Sequence, residues 1–362
     1  MAKRVFNFNP GPATLPFEVV EEASRGALEF NNLGMSIMEI SHRSKDFEKV
    51  IQEAAADMKE LLGLDEHFKV AFVGGGASLQ FAMVPMNYLR EDAFADYIDT
   101  GEWATKAIKE AKLFGKVNVV GSSADKKFSY IPDLKGITFN PGAAYVHVTS
   151  NNTIEGTEFH EFPKTGGVPL IVDMSSDFMA RELDHKQFAL IYAGAQKNVG
   201  PAGVTIVIVR DDLLARGKDK IPTMLNYKTH IEKESLYNTP PAFAVYVVGL
   251  VMKWMKKAGG LKAIEKVNRE KAKILYDAID GMSAFYKGTV EPGSRSLMNV
   301  TFRLPSEPLE EAFVKEAKAQ NLVGLKGHRS VGGCRASIYN ALPVDGVKAL
   351  VELMKDFAKR NG

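Results

Sequence analysis

Lys197 sits in AQKNVGPAG, a short polar stretch between two apolar runs, FALIYAGA and GVTIVIV. Both runs have strand length and are rich in β-branched or aromatic residues, so the lysine falls where the chain turns between two interior strands. Lysine is rarely buried without a partner, and against apolar surface its amine loses a proton readily. A desolvated amine is what Schiff-base capture of a carbonyl requires, and the neighbouring Gly and Pro let backbone approach a ligand closely. The ordinary alternative is a solvated loop lysine. The chemical reading demands more of the chain: a phosphate site, a partner for a ring and a carboxylate.

Candidates for each part occur. Asp173 closes PLIVDMSS, 24 residues before Lys197, at the carboxyl end of a predicted strand, where ligands of open α/β sheets collect. A carboxylate there is costly unless something positive meets it, and a protonated heterocyclic nitrogen would serve; the structural alternative is a capping or turn aspartate. Val70 to Val73 reads as a short buried strand followed by GGGASLQF and a helix, which places free N–H groups and the Ser78 hydroxyl at a helix start suited to phosphate. Position 79 is Leu, so this is not the G-x-G-x-x-G fingerprint, and no P-loop pattern occurs. Trp103, in TGEWATK just after the predicted strand DYID, could stack on a flat ligand or simply fill core. Outside predicted helix faces lie His42 and Arg43 in SHRSK, His328 and Arg329 in KGHRS, and Arg335 in GGCRAS. Arginine pairs bidentately with carboxylate or phosphate, so a substrate carrying an anion at each end would account for such a group.

These residues need a scaffold. Strands are predicted at 95–99, 117–120, 144–149, 169–173, 188–193 and 203–209, with helices from Pro16, through Leu62, over Ala77 to Leu89 and at 103–114. Continuous apolar runs rather than alternation indicate strands covered on both faces, hence an α/β architecture with a mainly parallel sheet inside helices. A long apolar helix is predicted from Thr239 to Lys257 and a charged amphipathic one over 261–280. Beyond it the pattern turns α+β: MNVTFRL and CRASIYN as strands, helices at 308–320 and from 344. A large domain over 16–260, and a smaller one formed by 261–362 together with the turn-rich arm 1–15, is the expected organisation.

Composition excludes several classes. With 46 basic against 44 acidic residues there is no electrostatic case for nucleic acid or an anionic membrane. A single cysteine, Cys334, leaves no intramolecular disulfide or multi-cysteine zinc site and fits a reducing compartment. The start, MAKRVFNFNPGPATLP, lacks a signal-peptide core, and the longest apolar run, Ala242 to Met252, is too short to span a bilayer. A cytoplasmic protein is expected.

Phosphate loop, aromatic, strand-end aspartate and turn lysine, in that order, resemble the arrangement of fold-type-I pyridoxal-phosphate enzymes. The strings FNFNPGPATLP, MEISHRSKDF, GGGASLQFAMVPMN, DYIDTGEWATKAIKEAK, AGAQKNVGPAGVTIVIVR, YNTPPAFAVY and LKGHRSVGGCRASIYNA resemble the phosphoserine aminotransferase family of class V along nearly the whole chain. The resemblance implies pyridoxal 5'-phosphate as cofactor, with Lys197 as the Schiff-base lysine and Asp173 at the pyridinium nitrogen. It implies Trp103 on the ring, Thr153 near the phenolic oxygen, and Ala77, Ser78 and Gln196 at the phosphate. It further implies a homodimer in which Asn238 and Thr239 reach the phosphate from the neighbouring subunit. Arg335 would fix the α-carboxylate and Arg43 the far anion, with His42, His328 and Arg329 around the substrate phosphate, some of these from the partner; which arginine meets which group is left open. Some members carry an arginine directly after the three glycines, where Ala77 and Ser78 stand here; phosphate charge then falls to neutral N–H donors and the helix dipole. The implied reaction is transamination between L-glutamate and 3-phosphohydroxypyruvate, in serine biosynthesis. 4-Phosphohydroxythreonine, on the pyridoxine route, is a second substrate the resemblance leaves open. The rival readings are an alanine or serine–glyoxylate aminotransferase, a cysteine desulfurase, against which the only cysteine, Cys334, in a predicted strand argues, or a non-catalytic binder of phosphorylated metabolites.

Overall fold

The computed structural model describes residues 4–362; residues 1–3 of the expected arm lie outside the described residues. A seven-stranded sheet runs through the larger part of the chain. It is built from β2 (Phe68–Val73), β3 (Phe94–Asp99), β4 (Lys116–Ser122), β5 (Val146–Thr149), β6 (Leu170–Asp173), β7 (Leu190–Gly194) and β8 (Thr205–Arg210), in the order β2-β8-β7-β6-β5-β3-β4. β8 pairs antiparallel with both β2 and β7, and the other pairs are parallel. Six strands therefore end on one edge of the sheet, and β8 alone runs against them.

Alternate residues of the central strands enter two separate cores, the two-residue period of a pleated strand. Val146, Val148, Leu170, Val172, Ile191, Ala193, Ile206 and Ile208 belong to one. Tyr145, Ile171, Leu190, Tyr192, Val207 and Val209 belong to the other. The first core is closed by α1 (Phe17–Leu28), α2 (Lys45–Leu62) and α7 (Ala242–Lys257), the second by α3 (Gly76–Tyr88) and α4 (Glu102–Ala111). α2 starts where Ser44 Oγ accepts from Phe47 N at 3.3 Å and stops at Gly63, whose φ of 64° only glycine adopts cheaply. α7 begins at Ala242 rather than at the expected Thr239. Pro240 and Pro241 intervene, and the residue before a proline is driven out of helical backbone.

After the short α5 (Asp211–Leu214) and α6 (Tyr227–Glu232), α7 passes into α8 (Gly260–Gly281) through Gly259 and Gly260 at φ 101° and 75°. A third core collects α8, α9 (Glu307–Ala319) and α10 (Val344–Asn361) over a three-stranded sheet of β12 (Cys334–Ser337), β10 (Asn299–Arg303) and β9 (Lys287–Gly288). The two-residue strand β1 (Phe6–Asn7) pairs with β11 (Leu322–Val323), and Phe8 is buried in this third core. No helix among the described residues is long and apolar enough to cross a membrane.

Candidate active site

The edge where the parallel strands end gathers the predicted residues. Asp173 and Thr149 are the last residues of β6 and β5 and face each other in register. Val73 leads through Gly74–Gly75 into α3, Asp99 through Gly101 into α4 with Trp103, and Gly194 through Gln196 to Lys197. A cavity of about 270 Å³ opens there, lined among others by Gly76, Ala77, Ser78, Trp103, Thr153, Asp173, Gln196, Lys197, His328 and Arg335.

Lys197 Nζ donates to Thr153 Oγ1 at 2.8 Å and lies 5.7 Å from the centroid of the Trp103 ring. Burial, opposed by the charge of Asp173 and helped by Arg335, brings its amine down to about 8. Asp173 is 4% exposed; burial raises its carboxyl, while the hydroxyl and N–H of Ser175 and the charge of Lys197 pull the other way. Ser175 N donates to Asp173 Oδ1 at 2.9 Å. The acid is thus held as a directed hydrogen-bond partner with room for a positive group. Arg335, from β12, is 5% exposed, donates through NH1 to Thr153 O at 3.1 Å, and leaves Nε without a partner. His328 lines the same cavity, and its imidazole is lowered by burial and then by Arg335 and Arg329.

The start of α3 has no side-chain cap; Gly75 stands at the N-cap with φ 87° and Gly76 follows at 65°. Its first N–H groups have no intrahelical partner, and Gly76, Ala77 and Ser78 all line the cavity. Uncapped donors and helix dipole make this end ready for an anion. A flat, phosphorylated pyridine aldehyde fits the set: amine, buried acid, aromatic face and anion cradle open on one space.

Not every predicted residue arrives. Asn238, Thr239, Arg43 and Arg329 are exposed and do not line this cavity, nor does His42, which meets Thr239 instead, its Nδ1 3.2 Å from Thr239 Oγ1. Other residues arrive unforeseen: Pro10, Gly11, Thr149, Ser175 and Ser176. Gly11 has φ 131°, and a Cβ on it would stand 3.1 Å from Lys197 Cγ, so the arm closes directly over the lysine stem. Tyr339 OH holds Pro10 O at 2.8 Å and Ala13 N donates to Gln196 O at 2.9 Å. The turn signal of NPGP was visible in the sequence; its destination was not. Thr149 leaves its buried Oγ1 unpartnered beside Asp173.

Fold and site together are those of a pyridoxal-phosphate transaminase, and a family model described as aminotransferase class-V matches residues 5–350. The chain is 58% identical over 364 residues to the phosphoserine aminotransferase of Desulfosudis oleivorans, covering 100% of both. The solved phosphoserine aminotransferase of Bacillus circulans subsp. alkalophilus superposes with a TM-score of 0.97 at 53% identity, over 99% of each chain. A phosphoserine aminotransferase of Trichomonas vaginalis solved with pyridoxal phosphate bound gives 0.92 at 39% identity, over 97% of this chain and 100% of that one. The chain belongs to the phosphoserine aminotransferase family of the class-V aminotransferases.

Proposed function

We propose that this chain, with pyridoxal 5'-phosphate, catalyses the reversible transamination of 3-phosphohydroxypyruvate with L-glutamate to O-phospho-L-serine and 2-oxoglutarate. The observation that carries the reading is the amine of Lys197, lowered by burial, sharing one cavity with buried Asp173 and the uncapped start of α3. The cofactor, when bound, supplies an electron sink for negative charge developing at the substrate Cα. Lys197 Nζ is placed to bind its aldehyde and, once freed, to take and return the Cα proton; an amine near 8 keeps a useful neutral fraction at neutral pH. Asp173 would hold a proton on the ring nitrogen. Trp103 would cover the ring, Thr153, which accepts from Lys197, would orient the ring oxygen, and Ala77, Ser78 and Gln196 would hold the phosphate. Arg335 grips the α-carboxylate, its free Nε completing a two-pronged contact. Glutamate leaves as 2-oxoglutarate before the phosphorylated keto acid enters, so ping-pong kinetics are expected.

The far anion, a γ-carboxylate or a phosphate, needs more positive charge than the cavity offers, because Arg335 is given to the α-carboxylate and the imidazole of His328 is lowered by burial and by Arg335. Arg43, His42, Arg329, Asn238 and Thr239 stay outside the cavity of their own chain, and a homodimer in which each subunit completes the other's site accounts for them. We take 16–260 as the cofactor-binding domain and the arm with 261–362 as the small domain, and place the protein in the cytoplasm on its lone cysteine. Lys197→Ala tests the whole: the visible chromophore and turnover should vanish while the fold's far-UV signature persists. A variant that kept turnover within about tenfold of the parent would overturn the assignment.

A further inference from the structure

A second carboxyl lies directly behind the site. After β6 the chain makes one helical turn, Asp177 N and Phe178 N both donating to Met174 O at 3.2 and 2.8 Å, which brings Asp177 beneath Asp173. Asp177 is 3% exposed and does not line the cavity. Ser150 Oγ lies within hydrogen-bond reach of an Asp177 carboxylate oxygen and, at 3.0 Å, of the main-chain carbonyl of Asp173, and its single proton serves one of them at a time. Ser150 N donates to that same carbonyl at 2.9 Å. One serine thus ties the buried acid to the end of β6, and Asp177 Oδ2 is left without a hydrogen-bond partner.

The charged and titratable groups facing Asp177 are Asp173, Glu158, Arg181, Lys197 and Tyr339. Arg181 is largely spent elsewhere: Nε stands 3.1 Å from Glu158 Oε1, and its other nitrogens donate to the carbonyls of Phe159 and His160. One guanidinium therefore faces two carboxyls. Burial, then Glu158, pushes Asp177 up to about 7, and its charge raises the amine of Lys197.

We propose that Asp177 is a positioning residue for the Lys197–Asp173 pair, holding the end of β6 through Ser150 and setting by its charge the field at Lys197. The inference rests on the cofactor reading above. Asp177→Asn keeps a partner for Ser150 and removes the charge. In the cofactor-loaded protein, followed by visible absorbance from about pH 5 to about pH 10, the midpoint of the lysine-bound chromophore should fall by about half a unit in this variant. A midpoint equal to the parent's, with only a lower melting temperature, would mean a packing role and overturn the inference. Should Asp177→Asn not fold, infrared spectra of the parent and of Ser150→Ala decide. A buried carboxyl band titrating near pH 7 is expected, with its midpoint raised when the hydroxyl that favours the ionised form is lost; no such band, or one indifferent to Ser150→Ala, refutes it. Failure of the parent to form any visible chromophore would sink the cofactor reading, and this inference with it.

Discussion

At the scale of single residues, the site is a set of groups whose ordinary behaviour is altered by burial. Lys197 is the clearest: removing water lowers its amine, and Asp173 restrains the fall. Arg335 is the counterpart among cations, with its guanidinium buried, lowered by that burial, and only half committed to Thr153 O. A lysine at this position keeps the charge but loses the planar fork that can meet a carboxylate with two parallel bonds. Arg335→Lys should therefore raise KM for both L-glutamate and O-phospho-L-serine by about thirtyfold, roughly 2 kcal/mol, with a smaller change in kcat. Steady-state kinetics in both directions check this. Equal KM values in parent and variant would remove Arg335 from the carboxylate.

Among elements, the strand-to-loop transitions do the positioning, and the one into α3 is the most constrained. Gly75 has φ 87°, and a Cβ on it would lie 2.5 Å from Leu79 Cδ2 and 2.6 Å from Leu79 Cβ. Gly75→Ala should cost about 2 kcal/mol of stability and tilt the uncapped N–H groups away from the phosphate. Cofactor affinity should then fall about tenfold or more, measurable by titrating pyridoxal phosphate into stripped protein. These transitions were also the legible part of the sequence. Apolar runs ending in GGG, D and AQK mark strands that deliver their last residues to one edge, because sheet strands must be apolar on both faces when helices cover both. Residues recruited over long separations left no such mark. Thr149 reads as an ordinary strand threonine, since β-branched residues suit strands regardless of function. Tyr339 reads as core, although its hydroxyl holds the arm by Pro10 O. The pairing of β1 with β11 rests on two residues a side, too short for any periodic signal.

For the whole molecule, two buried histidines weaken the fold as pH falls. His147 lies inside the main sheet, stacked 4.8 Å from the Tyr97 ring with Nε2 2.9 Å from Tyr192 OH, and burial holds it down to about 3. His185 is likewise held to about 4 by burial. An unfolded histidine titrates near 6.5, so between these values the unfolded chain binds more protons than the folded one. Their contribution is complete above about pH 6.5 and is lost as pH falls through the folded values. Melting temperatures compared across that window for the parent and His147→Gln should show a shallower acid-side decline in the variant; parallel curves would exclude His147 as a cause. The arm that crosses Lys197 at Gly11 has a consequence of another kind. Its strand partner, Leu322–Val323, and one of its two tethers, Tyr339, follow Lys197 at a long distance in the sequence. On the ribosome Lys197 and the Gln196 carbonyl that holds Ala13 N emerge before either, so the arm gains its strand pairing and its Tyr339 bond only after the lysine has been made. The cover over the lysine is thereby completed by the small domain, after the sheet that carries the lysine.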